Sequence, residues 1–407
     1  MQEQAINAAL DLCGLEVRAV SVEADLIEVV VESRLEAGSC TTCGGIAAEA
    51  KERPQVWVRD LAISGRPVML RWIKRRWRCR YCRATWTEAH PQIPPRSRMT
   101  LRFRSHLATR AIAERNFSQV AAAEGVSYDT VARAHRARAR LVDHNRPRPA
   151  PRILGVDEAA LRKGHSYSTV ISDPERRYVI DTLPGRHAAP LQAWLQRLDP
   201  EVKEGIEAVV IDLFQPFHFA VMAALPHAAR VADKFHVLRN VNHALDRQRS
   251  RIQGRGHKIG ARRRLFRSRF LFLRAGDELN GAQRHRLEAI FFDHPELAIG
   301  WHLKEDFRAI YELCDGDAQR GREMLQWWLD RAARSAIPEF ERLAANLRPW
   351  LEELVAYFVF RATNGFAEGI TNRIKVIKRQ AYGLPNFESF RRRILVECGT
   401  PRLGVPA

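Results

Sequence analysis

Apolar and polar positions alternate with a two-residue rhythm at 55–61 and 67–73, where Val, Trp, Leu and Ile recur between polar residues. That β-branched and aromatic content predicts two strands. Over 101–141 the rhythm lengthens to a helical one. Within it, 117–134 has the cadence of two helices around a turn. Val120 and Ala121 face inward, Gly125 turns the chain, Val126 plugs the core, and Ser127 caps a second helix carrying Val131. In a helix-turn-helix unit the second helix enters a major groove, which would set Tyr128, Asp129, Thr130 and Arg133 near base edges. Helical hairpins with no nucleic-acid role share this rhythm. The proline-rich stretch 145–152 predicts a stiff linker and a domain boundary.

Beyond the linker the pattern turns to apolar strands alternating with helices. An apolar strand at 153–156 delivers Asp157, followed by Glu158. Strands at 166–172 and 177–182 are joined by a turn at Asp173, Pro174 and Glu175, and a helical stretch follows near 188–198. A buried-type strand at 207–211 ends in Asp212; a third at 229–232 ends in Asp233 and leads into a helix through Phe235, His236 and Leu238. Strand ends are where α/β sheets hold reactive side chains on rigid backbone. A single aspartate there is commonly a turn former or helix cap; two after apolar strands are harder to dismiss. Far later, Ile370, Ile374, Ile377 and Ala381 mark the buried stripe of an amphipathic helix. Glu368, Asn372, Lys375 and Arg379 share its other face. Periodicity leaves two readings open: a carboxylate that reaches a metal with cations that follow a backbone, or an ordinary solvated surface.

Charge adds a partner. The 407 residues are 46% apolar and 28% charged, which suits two or more globular domains and excludes a disordered polybasic tail. The formal net charge is +19. Arginine-rich genomic composition explains Arg in place of Lys, but the surplus over acids points to an anionic partner, nucleic acid first. No run of eighteen apolar residues spans a membrane, and residues 1–4 lack the basic and apolar regions of a secretory leader. A cytoplasmic location is therefore expected.

Four of the seven cysteines are paired by spacing: Cys40 with Cys43, and Cys79 with Cys82. Two such knuckles fill the tetrahedral shell of one structural zinc, here a ribbon with the strands at 55–61 and 67–73 between its halves. Cys13, Cys314 and Cys398 lack such partners and read as inert thiols. The run 71–83 holds seven basic residues, Arg75 and Arg76 among them, with Trp72 and Trp77 interleaved. One strand face could offer cations to phosphates while the aromatics pack inward; a solvated edge strand has the same pattern.

In chain order, the paired cysteines, the helix-turn-helix, the block 155–158 with 162–164, the block 210–212, the block 232–236 and the block 363–375 with 379–390 resemble bacterial insertion-sequence transposases of the ISL-three family. The resemblance covers almost the whole chain, and the last block is its most specific part. It implies a multidomain α/β protein: a zinc-ribbon domain at 1–95, a helix-turn-helix domain at 96–145, a linker at 146–152, a ribonuclease-H-like catalytic core from 153–240 and 361–395, and a helical insertion at 241–360. Asp157 and Asp212 on neighbouring strands and Glu368 on a late helix would be the catalytic carboxylates, holding two magnesium or manganese ions. Water would cleave at the element ends, and each freed 3′ hydroxyl would attack target DNA. Asp233 and His236 would orient the scissile strand, with a helix N-cap as the rival role for Asp233; Glu158 would be a supporting charge. Within the insertion, 251–274 carries nine basic residues and no acid, including Arg262, Arg263 and Arg264 as DNA contacts. Trp327 and Trp328 are expected in its core. The implied partners are double-stranded DNA, as element ends and as target, and further copies of the chain in a homodimer or larger synaptic assembly. Two other functions compete: a zinc-containing DNA-binding regulator, and a metal-dependent nuclease without strand transfer.

Overall fold

The computed structural model describes residue 12 and residues 14–34, 39–46, 48–162, 166–255, 265–384 and 386–401, apart from the side chains of 161, 162, 255, 367 and 368. Arg262, Arg263, Arg264 and Cys13 lie outside the described residues, as does the side chain of Glu368. The chain divides into two compact units, one of Met1–His144 with Gln380–Tyr382, the other of Asn145–Arg379 with Gly383–Ala407.

The first unit contains two small sheets. Strands β1 (Leu15–Val22), β2 (Ile27–Ser33), β4 (Gln55–Ile63) and β5 (Arg66–Ile73) form one, in the order β1-β2-β5-β4. Its alternating residues Val17, Val29, Val31, Val58, Val68, Leu70 and Trp72 make a core. Strands β3 (Ala48–Glu52), β6 (Arg76–Cys79) and β7 (Thr85–Thr87) form the other, in the order β3-β6-β7. This corrects the expected ribbon. The strands at 55–61 and 67–73 lie between the cysteine pairs in sequence, yet they pair with β2 and with each other, away from the knuckle sheet. Cross-strand partners as distant as 27–33 were not readable from local pattern. Trp72 and Trp77 are both buried, but in different sheets.

Three helices follow: α1 (Leu101–Glu114), α2 (Phe117–Glu124) and α3 (Tyr128–Asn145). The Asn116 side chain caps α2 through the Gln119 amide at 3.1 Å. Gly125 ends α2 with φ +64, where a side chain would be strained. Ser127 accepts the Thr130 amide at 3.2 Å and starts α3. Phe103, Leu107, Phe117, Val120 and Val131 are buried together, with Val126 packed against them.

The second unit is built on a five-stranded sheet of β8 (Ile153–Arg162), β9 (Ser166–Asp173), β10 (Tyr178–Pro184), β11 (Ala208–Ile211) and β12 (Ala229–Ala232), ordered β10-β9-β8-β11-β12. The first three strands are antiparallel and β8, β11 and β12 are parallel. All four residues of β11 are buried, as a strand covered on both faces requires. One face carries α4 (Ala188–Gln196) and α6 (Gln215–Ala224), with Leu154, Val156, Leu191, Leu195, Phe217 and Val221 in contact; a short α5 (Pro200–Glu204) precedes β11. The other carries α14 (Gly365–Gln380) and α15 (Phe387–Cys398), through Ile370, Ile374, Ile377, Phe390 and Ile394. Ile370, Ile374 and Ile377 of the stripe expected for the late helix therefore form the face that meets the sheet, whereas Ala381 lies past the helix end.

Between β12 and α14 the described chain is helical: α7 (Lys234–Arg255), α8 (Arg269–Leu273), α9 (Gly281–Asp293), α10 (Pro295–Leu313), α11 (Ala318–Ala333), α12 (Pro338–Leu347) and α13 (Leu351–Phe360). Phe307, Trp328, Phe340 and Phe358 anchor its core. Trp328 is fully buried and its indole donates to the Leu303 carbonyl at 2.7 Å. Trp327 departs from expectation: it is 50% exposed, under the Arg331 guanidinium at 5.2 Å. Adjacent helical residues point about 100° apart; here Trp328 and Leu329 both face the core and Trp327 falls on the outer side. Among the described residues, no helix is long and apolar enough to cross a membrane.

Candidate active site and cysteine cluster

Register builds the acidic site. Val156 on β8 pairs with Ile211 on β11, and Ile211 pairs with Ala232 on β12. The next residue in each case is an aspartate, so Asp157, Asp212 and Asp233 stand side by side. Asp212 and Asp233 follow the last residues of β11 and β12, whereas Asp157, expected at a strand end, lies inside β8, which runs on to Arg162 and pairs Asp157 with Val170 of β9. Asp157 and Asp233 are buried, and Asp212 is half-buried.

His236, in the first turn of α7, faces two of them. Its Nδ1 lies 2.7 Å from Asp233 Oδ2 and 2.8 Å from Asp212 Oδ1. Hydrogen-bond geometry directs the Nδ1 proton to Asp233, and Asp212 Oδ1 is left buried without a hydrogen bond. Burial lowers the affinity of His236 for a proton, but the carboxylates of Asp212 and Asp233 outweigh it and push its pKa up to about 10. Asp157 is pushed up to about 6, first by burial and then by the charge of Asp212. The Glu158 amide, at 2.7 Å, and Thr371 Oγ1, at 3.3 Å, partly offset this by donating to its carboxylate.

Asp233 also accepts the His236 amide at 3.2 Å, which is an N-cap contact to α7. Its other oxygen accepts the Asn364 amide at 2.9 Å, just before α14. The Asn364 side chain donates to the Val156 carbonyl at 3.1 Å. Asn364 therefore fastens the start of the late helix to both β8 and Asp233. Gly155 makes room for it: a Cβ there would lie 2.6 Å from Asn364 Oδ1 and 2.7 Å from Ser172 Oγ. Sequence reading missed Asn364 and Thr371. An asparagine just before the late helix was the only local signal for the first, since its burial and its contacts are set by distant strands; nothing local singled out the second.

Asp157, Asp212 and His236 each offer a ligand atom within 4.8 Å of the others. The carboxylates of Asp157 and Asp212 are hard oxygen donors and suit a divalent cation, with His236 Nδ1 beside Asp212 Oδ1 at 2.8 Å. Glu368 lies in α14 one turn before Thr371. A cavity of about 710 Å³ opens over the aspartates, with Arg239, Asn242, His243, Arg269, Asn372 and Lys375 in its walls. An acidic floor under a largely basic wall suits a phosphodiester over a metal. Lys375 and Arg379 are exposed on α14. Glu158 lies beside the site and pairs with Arg186 at 3.3 Å.

The four cysteines of the first unit also converge, all ligand sulfurs within 4.8 Å. The two knuckles repeat each other. Thr42 donates to Cys40 Sγ and Tyr81 to Cys79 Sγ, both at 3.4 Å. Gly44 (φ +72) and Arg83 (φ +63) close them through their amides to the Cys40 and Cys79 carbonyls. Backbone amides from Cys43 and Thr42 bring the Cys40 thiol down to about 6, towards the thiolate a metal needs. Nearby, Arg75 is held by Glu88 and by the Ser33 carbonyl, and Arg76 pairs with Glu52. Tyr128 and Arg133 are exposed on α3 and Thr130 is half-buried. Cys314 and Cys398 are buried, away from this cluster.

Comparison with known proteins decides the family. A transposase family model, that of the ISL3 DDE transposases, matches residues 154–394. The chain belongs to the ISL3 family of transposases. The family's helix-turn-helix domain matches 88–138, and a zinc-finger model of the transposases of IS204, IS1001, IS1096 and IS1165 matches 36–82. The chain is 29% identical to the transposase for insertion sequence element IS1001 of Bordetella parapertussis, over 87% of each chain. It is 26% identical to the transposase for insertion sequence element IS1557 of Mycobacterium tuberculosis, over 57% of this chain and 56% of that one. All four cysteines of the cluster fall within the matched zinc-finger segment, and a structural zinc is the metal such a cluster supports.

Proposed function

We propose that this ISL3-family transposase binds the terminal inverted repeats of its own insertion sequence, cleaves their 3′ ends and joins them to target DNA. The observation that carries this reading is the side-by-side placement of Asp157, on β8, and Asp212, just past the end of the parallel strand β11, both lining the cavity. The strand order β10-β9-β8-β11-β12, antiparallel then parallel, supports a ribonuclease-H-like core.

Asp157, Asp212 and Glu368 would hold two magnesium or manganese ions, which when bound supply Lewis acidity and a hydroxide-like water. Around them, the chain's own groups position the strand. Lys375, Arg379 and Arg239 offer cations to the phosphates on either side of the scissile bond. Asp233 fixes the ring of His236, so His236 presents its far edge to the strand rather than turning freely. Hydrolysis leaves a 3′ hydroxyl on the element and a 5′ phosphate on the flank. In joining, that hydroxyl displaces a 3′ oxygen of the target, and one phosphodiester replaces another. Tyr128, Thr130 and Arg133 would read base edges from α3. Two ends must be held at once, so a dimer or larger synaptic assembly is the working form.

Incubating the protein with labelled element ends, target DNA and magnesium tests the proposal. Joined products support it. Cleavage alone would make the chain a nuclease, and a mobility shift alone would make it a binding regulator.

A further inference from the structure

A second basic cavity lies in the first unit, beside the exposed start of α3. It measures about 450 Å³ and is lined by Arg96, Arg98, Arg104 and Arg133, with Ser97 and Thr130. No acidic side chain lines it. Most arginines around it have a fixed role inside the fold. Arg102 is paired with the fully buried Asp60, Arg110 with Glu114 and Glu124, and Arg59 donates to the Glu124 carbonyl. Arg96, Arg98 and Arg104 are exposed and, among the described residues, make no ion pair or side-chain hydrogen bond. Three unpaired guanidinium groups in one hollow repel one another and lower stability unless an anion joins them.

The segment that carries them is held from below. The Arg59 amide donates to the Arg98 carbonyl at 2.8 Å, and the Thr100 amide returns a bond to the Arg59 carbonyl at 3.0 Å. Ser97 Oγ donates to the Met99 carbonyl at 2.7 Å. Thr100 Oγ1 donates to Asp60 at 2.7 Å and accepts the Phe103 amide, which locks the entry to α1. The backbone is thus anchored on β4 while three side chains reach outward. Thr130 and Arg133, which share the hollow, are residues of the helix assigned to the major groove. A groove-bound helix has a sugar-phosphate backbone along each flank, and cations beside it meet phosphates, which set register without reading sequence.

We infer that Arg96, Arg98 and Arg104 form a clamp for the phosphate backbone of duplex DNA, beside the α3 recognition surface, before the α2–α3 pair in the chain but within the segment that the helix-turn-helix family model matches. The inference rests on the DNA-binding reading of that unit and adds residues that sequence reading did not select.

The test uses the full-length chain and a mixed-sequence DNA duplex of about 30 base pairs, since phosphate contacts are sequence-independent. Binding is measured across a salt series for the wild type, for R96A/R98A/R104A, for the same triple lysine variant, and for R18A/R53A/R66A, an equal loss of charge elsewhere in the unit. Each phosphate contact contributes about 0.9 to the slope of log affinity against log salt. The alanine triple should make the slope shallower by about two to three, with lysine restoring it and the control set leaving it unchanged. Circular dichroism confirms that each variant is folded. A wild type that does not bind duplex DNA overturns the DNA-binding reading and the clamp with it. Wild-type binding with an unchanged slope in the alanine triple overturns the clamp alone, as does an equal change in the control set.

Discussion

Four cysteines and three aspartates are gathered in this protein by opposite means. Each cysteine pair is made by its own tight turn, with the same amide-to-sulfur bond and the same left-handed closing residue. Folding then has only to bring two ready-made halves together. The aspartates come from three strands whose nearest members are separated by 21 residues or more, and only strand register places them side by side. A local device tolerates rearrangement around it; a register device does not, because a one-residue slip turns every side chain to the other face. On the proposed reading, the cysteine cluster would hold a metal for the sake of the fold, and the aspartate row would use the fold for the sake of a metal.

The largest effect that separates the two comes from Asp157. Asp157→Asn should lower cleavage in single-turnover assays by on the order of 10³-fold or more, while element-end binding and zinc content stay at wild-type levels. Retained cleavage would remove Asp157 from the chemistry. The reverse experiment is Cys79→Ser, which leaves three sulfurs at the cluster. Structural zinc couples to folding with about 10 kcal/mol or more, so zinc content by atomic absorption should fall and the knuckle sheet should lose protection in hydrogen exchange. The five-stranded sheet should keep its protection, since its core shares no residue with the cluster. If cleavage of DNA is lost through both substitutions but only the cysteine variant loses zinc, the division of labour holds.

These two regions also mark what the sequence could reveal. Spacing alone pointed to Cys40, Cys43, Cys79 and Cys82, because each knuckle is complete within a few residues. The strands leading to Asp157, Asp212 and Asp233 were legible from their apolar runs, although β8 runs on past Asp157 to Arg162, and the helix-turn-helix was legible from Gly125 and Ser127. Their adjacency was not, because register depends on pairing between distant segments. The same limit explains why 55–61 and 67–73 seemed to belong to the ribbon when they join β2 instead. Asn364 escaped notice because its importance lies in two long-range contacts, to Asp233 and to the Val156 carbonyl. Trp327 and Trp328 were expected to share one fate; the helix turns Trp328 and Leu329 into the core and leaves Trp327 outside.

Asn364 gives a smaller and sharper test of the register device. Asn364→Leu removes the donor to Val156 and leaves that carbonyl buried without its partner, at a cost of about 1–3 kcal/mol. Urea unfolding should show this loss in the second unit, with zinc content unchanged; no loss of stability would mean that the clasp does not tie α14 to the sheet. The smallest effect belongs to the knuckles. Arg83 takes the left-handed conformation that Gly44 takes in the other half. Arg83→Gly should raise thermal stability by roughly 1 kcal/mol, because glycine adopts this conformation without steric strain. Gly44→Ala should lower it by a similar amount. Responses of the same sign at the two positions would mean the two halves are not equivalent in strain.

The central proposal is that Asp157, Asp212 and Glu368 share one divalent-cation site, although they come from two strands and a helix far apart in the chain. Iron(II) in place of magnesium, with ascorbate and peroxide, generates hydroxyl radicals that cut the polypeptide beside the bound ion. The cut sites can be read by mass spectrometry of the fragments. Breaks near 157, 212 and 368, all suppressed by excess magnesium and all lost in Asp157→Asn, are the predicted result. Breaks near 157 and 212 with none near 368 would contradict it.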